Sequence, residues 1–421
     1  MRLASFQAIT LRTLAFVGLS VVFLVAASSA ARQDPESNRQ QKRPRKVGST
    51  QTSNNNAQTS PPQTNSSGEE VGEGDIVRVE TQLINVPAVV TDKNGHPLTG
   101  LRLDNFVVIE DGKPQQVTNF AMTDAPFEIA LLLDTSGSTR EELGLIRDAA
   151  DSFINALRAG DRVALLAFNN VPRNSNNVPH NSFPTATVEM LTSLTGDRGT
   201  LHQAITKIGT SNGTPFYDAL ARVADQIFRD APREEVRGRR AVVALTDGVD
   251  SSSDSGFDDA RSKLARVGVA SYFIQMSTED YVEDRLLKDC QDDGRLSLSA
   301  KQLERFRQIF VPTAQKEDYQ DFCRMGPFER MDISRQLYNL ARKEMNELAR
   351  ASGGKNFSAA TLQDARAAFA QVANEIGTQY SLGYYPSNKA RDGRFRQITV
   401  QLRGIKDAQV RAREGYYAPK Q

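Results

Sequence analysis

The chain of 421 residues has no tryptophan, two cysteines and three histidines. Without tryptophan or a clustered aromatic stripe, it lacks the stacking platform that binds single-stranded nucleic acid. It also lacks a dominant charge: 52 Lys and Arg stand against 51 Asp and Glu, so no global field points to nucleic acid or an acidic polymer. Few histidines means few general bases. His96, His180 and His202 fall in expected turns or on a helix surface, with no G-x-S-x-G elbow beside them. No G-K-[S/T] phosphate loop is present. The most apolar run, 14–27, is shorter than the roughly 20 residues a spanning helix needs. Cys290 and Cys323 are either a disulfide pair, which an oxidising compartment would permit, or two separate thiols. If paired, they would be worth about 3.5–4 kcal/mol in the chain-entropy model.

What is present at the N-terminus reads as targeting. Arg2 and Arg12 precede the apolar run, and Ser28, Ser29, Ala30 and Ala31 follow it. This is the pattern of a signal peptide over 1–31, and it implies a periplasmic or secreted protein; an uncleaved membrane anchor is the alternative. Residues 32–74 hold Gln, Asn, Ser, Thr and Pro but no aromatic, Leu or Ile. Such a segment cannot bury enough apolar surface to offset its ordering entropy, so it reads as a disordered linker. Its basic cluster, Arg39, Lys42, Arg43, Arg45 and Lys46, is either a contact to an anionic surface or part of a solvated tether.

Residues 75–124 read as β. Val77, Val79, Thr81 and Leu83 alternate, then the phase shifts to Val86, Ala88 and Val90, which suggests a bulge. Asn94-Gly95 and Asp111-Gly112 are turn signals, with short strands at 106–109 and 117–120. From Phe127 the pattern changes. Continuous apolar runs at 129–133, 163–168, 241–245 and 269–274 suit strands buried on both faces of a parallel sheet. Helical spacing separates them, beginning after Thr139 with Glu141 and Glu142 placed in a first turn, where the dipole favours anions. Further helices are expected at 333–351 and 362–376, and 278–331 reads as a polar, irregular insert. Strands return over 379–418, at 379–385, around Ile398, Val400 and Leu402, and at 410–417. The N-terminal β segment is too short to bury a core comfortably alone. The expected fold is therefore α/β: a doubly wound, mostly parallel sheet over 127–378, inserted between the strands of a small β-sandwich formed by 75–124 and 379–418.

In an open α/β sheet, ligands bind beyond the carboxyl ends of the strands. Asp134 follows the first apolar run in D-x-S-x-S, with Ser136 and Ser138, and Asp247 follows another in T-D-G. Thr214 lies between them, before Pro215 at the expected start of a helix. Two carboxylates and three hydroxyls are hard oxygen donors suited to Mg²⁺, with Ca²⁺ or Mn²⁺ fitting less well. With few anionic ligands the ion would stay electrophilic, so a partner's carboxylate could replace one of its waters.

The ordered set D-x-S-x-S, Thr, T-D-G resembles the metal-ion-dependent adhesion site of von Willebrand factor type A domains. The string G-T-P-F-Y-D-A-L resembles a segment of bacterial members. The flanks V-P-A-V-V-T-D-K-N-G-H-P, F-V-V-I-E-D-G-K, Y-S-L-G-Y-Y-P and V-R-A-R-E-G-Y-Y resemble secreted bacterial proteins of this type. The resemblance implies that Ser136, Ser138 and Thr214 ligate the metal directly or nearly so, and Asp134 and Asp247 directly or through water. It implies an exported adhesion module that captures a protein partner through an Asp or Glu carboxylate. The alternative is a scaffold protein of the cell envelope whose metal only stabilises the fold. An enzyme is not expected. A haloacid-dehalogenase-like phosphohydrolase needs a second Asp where Ser136 stands, and an aspartic protease needs Asp-Thr/Ser-Gly twice. Asp250, Asp254, Asp258 and Asp259 read as a solvated acidic loop with helix caps, with a second cation site as the alternative, and Tyr384, Tyr385, Tyr416 and Tyr417 as sandwich packing, with a sugar-binding patch as the alternative.

Overall fold

The continuous apolar runs become neighbouring strands of one sheet. The computed structural model describes residues 83–121, 125–137, 139, 142–170, 186–288 and 298–420. The segments read as signal peptide and linker, residues 75–82, and Ser138, Glu141, His180 and Cys290 lie outside the described residues. The elements before and within the first half of the α/β region are β1 (Ile84–Asp92), β2 (Phe106–Glu110), β3 (Lys113–Gln115), β4 (Val117–Ala121), β5 (Glu128–Leu133), α1 (Leu143–Ala156), β6 (Arg162–Asn170), β7 (Ala186–Thr195), α2 (Arg198–Thr206) and α3 (Phe216–Arg222). They are followed by β8 (Arg240–Thr246), α4 (Phe257–Val267), β9 (Ala270–Met276), α5 (Glu279–Lys288), α6 (Ala300–Phe310), α7 (Pro327–Ser352), β10 (Lys355–Ala359), α8 (Leu362–Gly377), β11 (Tyr380–Tyr384), β12 (Phe395–Leu402), β13 (Ala408–Ala412) and β14 (Gly415–Tyr417).

The central sheet has the order β10-β9-β8-β5-β6-β7. All its pairs are parallel except β6 with the edge strand β7. Side chains alternate across it. Ile129, Leu131 and Leu133 face α1, α2 and α8, while Ala130 and Leu132 face α3, α4 and α7. Both faces are covered, which is why these strands carry no polar alternation. Chain order reverses between β5 and β8, so the helices that follow these two strands leave to opposite faces.

The remaining strands form two four-stranded sheets, β13-β1-β11-β4 and β14-β12-β2-β3. Strands from before and after the α/β region are mixed within each: β1 lies between β11 and β13, and β12 between β2 and β14. Val86, Val108, Tyr380, Leu382, Tyr384, Ile398 and Tyr416 share their core. Asp111 and Gly112 both have positive φ, 46° and 79°, as a two-residue primed turn between β2 and β3 requires. Asn94-Gly95 also turns the chain, but closes no more than an isolated bridge between Thr91 and Pro97.

Several local expectations are corrected. The described residues of the 278–331 segment are not irregular: they form α5, α6, short 3₁₀ turns and the start of α7. Leu303 and Phe306 fall on one face of α6, and Ser299 with Gln302 forms its capping box. The polar residues that suggested irregularity belong to the outer face. Glu142 is the N-cap of α1 and not part of its first turn. The run 410–417 is two strands, because the chain crosses from β1 to β12 between β13 and β14. Strands β7 and β10, at the two edges of the central sheet, were not anticipated. Among the described residues no helix is long and apolar enough to cross a membrane.

Candidate metal centre

Asp134 and Asp247 directly follow β5 and β8, the neighbouring strands at the reversal point, where a crevice opens beyond the carboxyl ends. Gly248 follows Asp247 with φ +77°, and a Cβ there would stand 2.4 Å from the Met345 methyl on α7. The positive φ favours glycine here, and any Cβ would also force the Met345 side chain to shift.

Hydrogen bonds tie three loops together. Thr246 Oγ1 donates to Asp134 Oδ2 at 2.6 Å, and the Ser136 amide donates to Asp134 Oδ1 at 2.9 Å. Thr139 Oγ1 donates to the Asp134 carbonyl at 3.1 Å. The Ser211 amide donates to the Thr135 carbonyl at 2.8 Å, which joins the loop before α3 to the loop after β5. The Thr214 amide donates to Ser251 Oγ at 2.8 Å, and the Ser251 amide donates to the Thr214 carbonyl at 3.0 Å. On Asp247, Oδ1 accepts from the Val249 amide at 3.1 Å and Oδ2 from Thr278 Oγ1 at 2.8 Å. Asp134, Ser136, Thr214 and Asp247 are all buried.

The electrostatics of this cluster test its fit to a cation. Burial, and next the charge of Asp247, push the Asp134 carboxyl up to about 7. Donors from Ser136 and Thr246 pull the other way and are outweighed. Two carboxylates thus share a low-dielectric space, which normally forces one to hold its proton. A divalent cation beside them would remove that conflict, and the surrounding donors are hard oxygens. Among the described residues no group of three or more His, Cys, Asp or Glu is placed to hold a metal. A cation at this point would have to take hydroxyl oxygens as well as the two acids.

Residues 128–310 match the family model of the von Willebrand factor type A domain. The chain carries a VWA domain. The structure of proximal thread matrix protein 1 from the mussel byssus is similar at 12% identity, over 62% of this chain and 49% of that one, with a TM-score of 0.36. A von Willebrand factor type A structure from Catenulispora acidiphila is similar at 15% identity, over 63% and 51%, with a TM-score of 0.29. The three N-terminal domains of a type V pili tip protein from Porphyromonas gingivalis give 15% identity over 40% and 27%, with a TM-score of 0.24. The chain spans about half the length of the first two and less of the third. No curated protein matches it.

Around the VWA crevice, three groups escaped sequence reasoning. Thr246 stood in the T-D-G motif but was not given a role. Thr278 and Tyr338, whose hydroxyls meet at 2.8 Å behind Asp247, lie far along the chain and carried no local signal. The acidic loop is held by hydrogen bonds: Asp250 accepts from Ser253 and from the Tyr217 amide of α3, and Asp254 pairs with Lys301 of α6 at 2.6 Å. Tyr384 and Tyr416 are sandwich-core residues whose hydroxyls donate to buried Glu110. His202 bonds Asp151 at 2.6 Å and His96 bonds Asp92 at 3.2 Å.

Proposed function

We propose that the VWA domain binds a protein partner in a metal-dependent way, without catalysing a reaction, and that it does so after export. The observation that carries this reading is the pair of buried acids, Asp134 and Asp247, at the reversal point of the sheet, with the Ser136 amide on Asp134 and Thr214 buried on a loop tied to the one after β5. Asp134, Ser136, Ser138, Thr214 and Asp247 would hold Mg²⁺ directly or through water. The ion, when bound, supplies a Lewis-acidic position open to an Asp or Glu carboxylate of the partner. The protein's own residues orient that position: Thr246 and the Ser136 amide fix the Asp134 carboxylate, and Ser251 fixes the backbone of Thr214. Export is supported by the charged and apolar pattern of 1–31. The Cys290–Cys323 disulfide belongs to the same proposal.

The test is capture of envelope proteins on the immobilised full chain with Mg²⁺, with EDTA, and with Asp134→Ala. Capture that requires both the ion and Asp134 is expected; equal capture in all three arms would sink the reading. The burial of all four described site residues favours a second reading, in which the metal only stabilises the fold. That reading requires Mg²⁺ to raise the melting temperature while partner capture ignores it.

A further inference from the structure

The 278–331 segment reaches the candidate metal centre from two sides. Its first residue, Thr278, donates from Oγ1 to Asp247 Oδ2 at 2.8 Å, and Tyr338 of α7 stands behind that hydroxyl, also at 2.8 Å. Further along, Ser299 Oγ donates to the Ser251 carbonyl at 2.6 Å. Lys301 Nζ donates to the carbonyls of Ser252 at 2.8 Å and Ser253 at 3.0 Å, and to Asp254 Oδ1 at 2.6 Å. Ser251 in turn holds Thr214 by both its amide and its hydroxyl. Val249, two residues after Asp247, is buried with Leu298, Leu303 and Phe306 of this segment.

The geometry points to a role for this insert as a positioning device for the cation. Thr278 sets the rotation of the Asp247 carboxylate, and Ser299 with Lys301 sets the 251–254 turn that fixes Thr214. This rests on the metal-binding reading of the centre. The reason is chemical. A carboxylate with both oxygens engaged, one by the Val249 amide and one by Thr278, cannot swing about its side-chain torsions. Partners of this kind behind a metal ligand are typically worth about 10–100-fold in affinity. The effect should also depend on the ion, since Mg²⁺ demands near-octahedral geometry and Ca²⁺ tolerates a looser shell.

The test is calorimetric titration of the full chain with Mg²⁺ and, separately, with Ca²⁺. Thr278→Val should weaken Mg²⁺ by about 10-fold and Ca²⁺ by less than about 3-fold, and Thr278→Ser should restore Mg²⁺ binding. Lys301→Met should weaken Mg²⁺ in the same sense and speed hydrogen exchange at the Ser251 amide in metal-free protein; this variant serves if Thr278→Val does not fold. Asp134→Ala reports on the centre itself. If the wild type binds Mg²⁺, Asp134→Ala abolishes it, and the Thr278 and Lys301 variants bind like wild type, positioning is wrong and the centre stands. Equal weakening of both ions by Thr278→Val also overturns positioning. If the wild type takes up neither ion, or Asp134→Ala binds as well as wild type, the centre fails and positioning with it.

Discussion

The two ends of β5 treat a buried acid in opposite ways. At the amino end, Glu128 meets the Nε of Arg240 at 2.9 Å and Arg162 at 3.2 Å. Both arginines come from the facing first residues of β8 and β6, so the sheet register itself delivers the countercharge. At the carboxyl end, the same neighbour β8 delivers Asp247, a like charge, against Asp134. Five residues separate a neutralised acid from a frustrated one, in equally dry surroundings. The amino end behaves as structure complete in itself, and the carboxyl end keeps a conflict that the proposed cation would remove.

Breaking the amino end should have the largest effect. Glu128→Ala leaves the buried Arg240 without its carboxylate, and a loss of about 3–5 kcal/mol is expected in urea unfolding. A loss below about 1 kcal/mol would show that Arg240 re-pairs easily. The carboxyl end should respond to pH. Because the folded state raises Asp134 to about 7, its contribution is fully present below the unfolded value near 3.8 and lost as pH rises through about 7. The metal-free chain should therefore lose about 2–4 kcal/mol between pH 4 and 8 from this group, and Asp134→Asn should flatten that part of the profile. Saturating Mg²⁺ at about 100 times its dissociation constant should restore about 2.7 kcal/mol at neutral pH, measured as a concentration-dependent melting shift. A melting curve indifferent to Mg²⁺ would erase the contrast between the two ends. The smallest effect is expected in the sandwich. Tyr384→Phe removes the 2.6 Å donor to Glu110 but leaves Tyr416 in place, for a loss of about 1–2 kcal/mol on chemical unfolding.

The contrast was half legible in the sequence. The run 129–133 announced a doubly buried strand, and D-x-S-x-S with T-D-G announced the acids beyond it, because these signals are local. The pairing of Glu128 with Arg240 was not legible, since it depends on register between strands far apart in the chain. Thr278 was hidden for the same reason. Strand β7 escaped because most of its residues are only half-buried and its pairing with β6 shifts register twice, so neither a continuous run nor a clean alternation survives. Strand β10 is a short edge opening on Lys355 and Asn356, residues that read as loop. In α6, the capping box Ser299–Gln302 was a readable start signal that its polar composition masked.

The threading of the sandwich has a mechanical consequence. β11, which carries the chain out of the VWA domain, pairs antiparallel with β1, from Ile84 opposite Tyr384 to Ala88 opposite Tyr380. If the proposed centre captures a partner, a pull on that partner would reach β11 at its Tyr380 end, while a restraint from the N-terminal side would reach β1 at Ile84, at the opposite end of the pair. The two strands are then drawn past one another along their length. The ladder is loaded in shear, with its hydrogen bonds resisting together, where a peeling geometry would break them one at a time. A module that binds under tension would gain grip from this arrangement before any side chain at the binding crevice changed.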